Sequence, residues 1–132
     1  MKTIESTTNL TVDFKKLSTL SQMDVVPVVV QHFQTKEVLI LAYINEIALQ
    51  RSINEKKAIF WSTSRNELWV KGATSGDYLF LKEVRVNCEQ NSLLFLVTPK
   101  GTGVCHTKDI KGAHRPTCYY RTLGSDTTLT FC

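Results

Sequence analysis

The chain has 132 residues, 42% apolar and 21% charged, a balance that excludes disordered and fibrous classes. A single domain of this length buries roughly two-thirds of its unfolded surface, so its four cysteines are not required as a disulfide frame. Sixteen basic against twelve acidic residues give a net charge of +4, and basic residues pair only at Lys15-Lys16 and Lys56-Lys57. That pattern argues against a nucleic-acid tract but leaves room for a small phosphorylated substrate. The opening MKTIESTTNL has no apolar core of signal-peptide length, and no run approaches the ~18 apolar residues of a membrane span. The expected compartment is the reducing cytoplasm, where clustered thiols serve metals or catalysis more often than disulfides.

In chain order, residues 1–20 read as a weakly patterned lead-in with a short helix expected at Val12–Leu20 and no assigned chemistry. The β-branched run VVPVVVQHF, a turn at Gln34-Thr35-Lys36 and the run EVLILAYI predict a strand hairpin. Asn45 can cap a helix near residues 45–56, with Ile47, Ala48, the stem of Arg51 and Ile53 at helical spacing. Strands are then expected at KAIFWST, ELWVKG, YLFLKEVRVNC and SLLFLVTP, with turns at Ser64-Arg65-Asn66 and Ala73–Asp77. The loop Lys100-Gly101-Thr102-Gly103 leads into an aperiodic stretch, Val104–Thr117, of the length that functional loops take. The predicted fold is a strand-dominated α+β domain of mainly antiparallel hairpins with one main helix.

Three groups of residues could carry chemistry. Cys88, Cys105 and Cys118, with His106 beside the second, match no zinc-knuckle spacing. Ligands drawn singly from a strand end and a loop suit a catalytic zinc, whose fourth position holds a water of lowered pKa, with His106 as proton shuttle. The competing interpretation is that these cysteines are small buried apolar residues. Cys132 has no assigned role. The second group is the hairpin Trp61, Ser62, Ser64 and Arg65, followed by Lys71, Thr74 and Ser75, whose hydroxyls, cations and glycine turns could receive a phosphate. There Trp61 or Trp69 could stack on a base or fill the core. Asn87, Glu89 and Asn91 form the third group, sharing one face if their strand continues. One carboxylate is thin provision for Mg²⁺, and a solvated strand end competes with that assignment.

Taken together, the strings TKEVLILAYINEIAL, FWSTSRNELWVKGATSG, EVRVNCEQNSLLFLV, GVCHT and CYYR resemble the phosphoribosyl-AMP cyclohydrolase family over about Val26–Arg121. The resemblance implies a homodimeric enzyme of histidine biosynthesis that adds water across the N1–C6 bond of phosphoribosyl-AMP. It implies zinc held by Cys88, Cys105 and Cys118 across the subunit interface, and His106 in proton transfer. Ser62, Ser64, Arg65, Lys71, Thr74 and Ser75 would surround the nucleotide. The family's D-C-D-x-D run, which holds Mg²⁺, stands here as Asn87-Cys88-Glu89-Gln90-Asn91, so magnesium binding is expected to be degenerate. Ala73 and His32 replace two further acids, and the interval between Cys105 and Cys118 contains an insertion at Lys108–Pro116 that includes His114 and Arg115. These departures leave two alternatives open: a paralogue acting on another purine-like nucleotide or heterocycle, and a zinc-containing nucleotide-binding module without turnover.

Overall fold

The structure is a computed structural model describing residues 4–9 and 22–132. The helix expected at Val12–Leu20 lies outside the described residues. Among the described residues, eight strands and one helix follow in the order β1 (Val26–His32), β2 (Val38–Ile44), α1 (Glu46–Glu55), β3 (Ile59–Ser62), β4 (Glu67–Val70), β5 (Leu79–Val86), β6 (Leu93–Pro99), β7 (Arg121–Leu123) and β8 (Leu129–Phe131). This is an α+β chain dominated by strands, as the β-branched runs predict.

The main sheet has the order β2-β1-β6-β5. β1 and β2 form the expected hairpin, and β5 and β6 a second one. Between them β1 runs parallel to β6, with Val28 opposite Leu93 and His32 opposite Val97. Hairpin signals are local and contain nothing about this pairing. One face of the sheet buries Val28, Val30, Ala42, Phe95 and Val97 against α1 and the β3–β4 hairpin. Phe60 of that hairpin is fully buried and contacts the rings of Trp69, at 5.5 Å between centroids, and Phe95, at 6.1 Å. Trp69 thus packs against the core.

Asn45 caps α1 as expected, its side chain accepting the Ala48 N–H at 2.9 Å, and Lys56 ends the helix in the left-handed region. Of the apolar residues expected at helical spacing, Ala48 alone is buried. Ile47 and Ile53 are exposed, whereas Ala48 and Ser52 are fully buried. Small residues are required there because the helix lies close against β3. The Ser52 hydroxyl lies 2.8 Å from the Ala48 carbonyl and 2.9 Å from the Ile59 carbonyl, and it accepts the Ile59 N–H at 3.0 Å. Ser52→Ala would leave that buried N–H unpaired, and we expect a loss of about 1–3 kcal/mol in urea unfolding.

The short pair β7–β8 has no counterpart in the sequence-based expectations, because three-residue, mostly exposed strands show no hydrophobic alternation. It receives the segment 4–9. Asn9 bridges Thr128, the Leu129 N–H donates to the Thr8 carbonyl, and Arg121 Nη1 donates to the carbonyls of Ile4 and Thr7 at 3.0 and 2.8 Å. Cys132 closes this pair, its Sγ 3.1 Å from the Thr122 hydroxyl.

Candidate metal centre and nucleotide hairpin

The site begins at an irregularity in β2. Val30 pairs with Ile40 but Gln31 pairs with Val38, so Leu39 is an extra residue in the ladder. Such a bulge turns its carbonyl away from the partner strand. The Leu39 carbonyl accepts the Cys118 N–H at 2.8 Å, and the neighbouring Thr117 hydroxyl donates to the Val38 carbonyl at 2.8 Å. Cys118 is thereby fixed at the edge where β2 begins. Cys105 reaches the same place from the loop after β6. Its N–H donates to the Arg115 carbonyl, and its Sγ lies 3.0 Å from the Thr107 hydroxyl.

Burial, with the neighbouring Cys105 adding to it, pushes the Cys118 thiol up to about 12. Facing them is Lys71, only 6% exposed, whose ammonium is pushed below its ordinary range by burial and held up in part by the two sulfurs and Asp77. The Lys71 charge opposes the rise at Cys118 only in part. Lys71 reaches this position because the chain turns sharply after β4. Gly72 has φ +90° there, and a Cβ on it would lie 2.4 Å from the backbone of Asp77 and Tyr78. Lys71 is thus placed beside the thiol pair, one turn before Thr74 and Ser75.

Two sulfur donors supply half of a tetrahedral zinc set. No third Cys, His, Asp or Glu joins them among the described residues. Cys88 follows β5, whose other end, at Leu79, lies beside Pro99 and the loop that carries Cys105. Eight extended residues span ~25 Å, so Cys88 is at the opposite end of the sheet from Cys105 and Cys118. His114 has its Nδ1 engaged 3.1 Å from the Cys105 carbonyl, and no histidine joins the two thiols in a three-ligand group among the described residues. His32 is likewise occupied, its Nδ1 accepting the N–H groups of Gln34 and Thr35.

His106 is 78% exposed, and its Nε2 lies 3.5 Å from the Glu5 carboxylate. Tyr120 helps hold that acid in place by donating its hydroxyl to the Glu5 carbonyl. Sequence inspection assigned the lead-in no chemistry, and no local signal connects position 5 with position 106. At the far tip of the β3–β4 hairpin, Ser62 Oγ lies 3.3 Å from Ser64 Oγ and accepts the Arg65 N–H, which leaves the Arg65 side chain exposed. Trp61 is half-buried on β3. Thr74 and Ser75 are exposed in the turn after Lys71, where the Ser75 hydroxyl accepts the Asp77 N–H. The hairpin thus presents two polar ends ~10 Å apart.

Asn87, Glu89 and Asn91 do not share a strand face. β5 ends at Val86, and a tight turn brings the three side chains together instead.

The family model for phosphoribosyl-AMP cyclohydrolase matches residues 40–120, the stretch from β2 to Tyr120 that contains both ends of the hairpin and all three cysteines. The chain belongs to the phosphoribosyl-AMP cyclohydrolase family. It is 47% identical over 100 residues to the phosphoribosyl-AMP cyclohydrolase of Streptococcus mutans, covering 76% of this chain and 86% of that protein. The enzyme of the same name from Streptococcus thermophilus is 39% identical over 90% of this chain and 96% of its own length. A histidine biosynthesis bifunctional protein of Staphylococcus epidermidis is 41% identical over 75% of this chain but only 43% of itself. The segment 4–9, and with it Glu5, lies outside the residues 40–120 that the family model matches.

Proposed function

We propose that this cyclohydrolase hydrolyses phosphoribosyl-AMP in histidine biosynthesis, as a zinc-dependent homodimer of single-domain chains. The observation that carries the proposal is the pair formed by the buried Cys105 and the half-buried Cys118 against Lys71, with the exposed His106 alongside, inside the segment that the family model matches. Zinc held by Cys105, Cys118 and the Cys88 of a second copy would supply Lewis-acid activation of water. The separation of Cys88 from the other two cysteines supports sharing between copies, since a single chain cannot close the set. The outer face of the main sheet supports association too, because Leu41, Val29, Leu94 and Arg85 form one row across all four strands and Leu41 is exposed.

The remaining roles follow from placement. The oxygen of water bonds to C6 of the adenine ring, the N1–C6 bond breaks, and N1 takes up a proton. His106 is the group placed to carry that proton, with the Glu5 carboxylate orienting its ring. Ser62, Ser64 and Arg65 at one end of the hairpin and Thr74 and Ser75 at the other offer hydroxyls and a cation for phosphate and ribose. Trp61 offers a ring edge for the base.

The test is to supply phosphoribosyl-AMP to the zinc-loaded protein and follow the absorbance of the ring-opened ribotide. His106→Ala should lower turnover about a hundredfold or more while leaving nucleotide binding nearly intact. Absence of turnover by the unaltered protein would overturn the proposal. The insertion at 108–116 favours a second assignment, a related purine nucleotide as substrate. It forms a small hairpin with Lys108 bridged to His114, and Arg115 is stacked 4.1 Å from the Tyr120 ring. Turnover of such a nucleotide in preference to phosphoribosyl-AMP would establish that alternative.

A further inference from the structure

We propose that the turn Asn87–Ser92 is a clasp closed by side-chain amides and binds no Mg²⁺. It takes the place of the cation-binding acidic run that the family resemblance implies at this position. The inference rests on the family assignment only for that comparison.

The hydrogen bonds orient the side-chain amides of the turn. The backbone N–H groups of Asn91 and Ser92 both donate to Asn87 Oδ1, each at 2.9 Å. An amide nitrogen cannot accept them, so the orientation of the Asn87 amide is set. Its Nδ2 must then face Asn91, where it donates to Oδ1 at 2.7 Å. This in turn orients Asn91, whose Nδ2 donates to Glu89 Oε2 at 3.1 Å. The backbone adds two further bonds, from the Asn87 N–H to the Ser92 carbonyl and from the Gln90 N–H to the Asn87 carbonyl, both 3.1 Å. Gln90 takes the left-handed conformation, φ +56°, that such a turn needs.

A hard divalent cation requires oxygens that converge with their lone pairs free. In this turn the Asn87 oxygen is saturated by two N–H donors, the Asn91 oxygen is occupied by an amide, and two NH₂ groups point into the space between the three side chains. Only Glu89 carries charge, and it is exposed to water, where a single carboxylate attracts a cation weakly. Converting both amides to carboxylates alters one atom in each side chain. The backbone bonds to position 87 would survive, the two inward donors would become acceptors, and three carboxylates would then repel one another unless a cation lay between them. In the present chain Cys88, the second residue of the clasp, is held at the surface without that requirement.

The experiment uses Mn²⁺ as a paramagnetic probe for Mg²⁺, with zinc-supplied full-length protein and detection of free Mn²⁺ by electron paramagnetic resonance. The unaltered chain should leave the free Mn²⁺ signal undiminished at millimolar metal, and its melting midpoint should not respond to Mg²⁺. The Asn87→Asp, Asn91→Asp double variant should take up one Mn²⁺ per chain and gain a melting midpoint that rises with Mg²⁺. Adding Glu89→Gln to it should weaken that binding. Uptake of Mn²⁺ by the unaltered chain that Glu89→Gln abolishes would overturn the proposal. So would a double variant that binds no more Mn²⁺ than the unaltered chain. Because the readout is binding, failure of the turnover assay would remove the proposed function and leave this result to stand alone.

Discussion

Cys105→Ser is expected to yield a folded protein that carries no stoichiometric zinc and shows no measurable turnover. Among the described residues, Cys105 and Cys118 are the cysteines brought together, and a lone thiol beside Lys71 cannot hold the metal. Cys88→Ser should produce the same loss even though that residue lies at the other end of the sheet. The decisive measurement is complementation. Refolding the Cys88→Ser and Cys118→Ser chains together should restore about a quarter of the zinc, since half the dimers are mixed and each mixed dimer has one intact site of two. Elemental analysis of the mixture measures this directly, and no recovery would exclude sharing of ligands between copies. Zinc affinity should also rise with pH. The Cys118 thiol is pushed up to about 12 in the metal-free protein, so metal uptake must release its proton. Apparent affinity then increases by about tenfold per pH unit for each proton released. For the metal-free fold the sign is opposite. A thiol whose folded pKa is raised contributes stability below its ordinary value near 9, and that contribution is lost as pH rises from there towards 12.

Gly72→Ala is expected to be the most damaging single methyl group in the hairpin. The residue has φ +90°, and its new Cβ would lie 2.4 Å from the backbone carbon of Asp77 and from the nitrogen of Tyr78. Neither atom belongs to a flexible side chain that can swing aside, so the turn itself must open. We expect a loss of about 3 kcal/mol and a fall of about 10 °C in melting midpoint. Zinc retention should be impaired as well, because the neighbouring Lys71 would be displaced from the thiol pair. Gly76→Ala provides the control. Its φ is +82° but its Cβ would meet nothing within 4 Å, so only the backbone preference is lost, at a cost of about 1 kcal/mol. Equal effects of the two substitutions in thermal unfolding would show that conformation, and not the close approach to Asp77 and Tyr78, sets the cost.

Much of this molecule is legible from local patterns. β-branched runs mark β1 and β2, apolar runs between turns mark β5 and β6, Asn45 marks the start of α1, and the order of hairpin and cysteine motifs points to the family, because each depends on residues close together in the chain. The face of α1 was misjudged for a physical reason. Periodicity identifies Ile47 and Ile53 as apolar, but the narrow gap to β3 accepts only Ala48 and Ser52. β7 and β8 are too short and too exposed to announce themselves.

Sequence alone determined which residue types were available: four cysteines, one histidine beside the second of them, a glycine after Lys71, and amides at 87 and 91. Tertiary structure decided their partners. The parallel pairing of β1 with β6 sets the two ends of the sheet, and those ends separate Cys88 from Cys105 and Cys118. A bulge at Leu39 positions Cys118, and the docking of residues 4–9 on β8 brings Glu5 to His106. Such contacts join residues dozens of positions apart, and their register is set by packing and backbone hydrogen bonds, which leave no periodic trace in the chain.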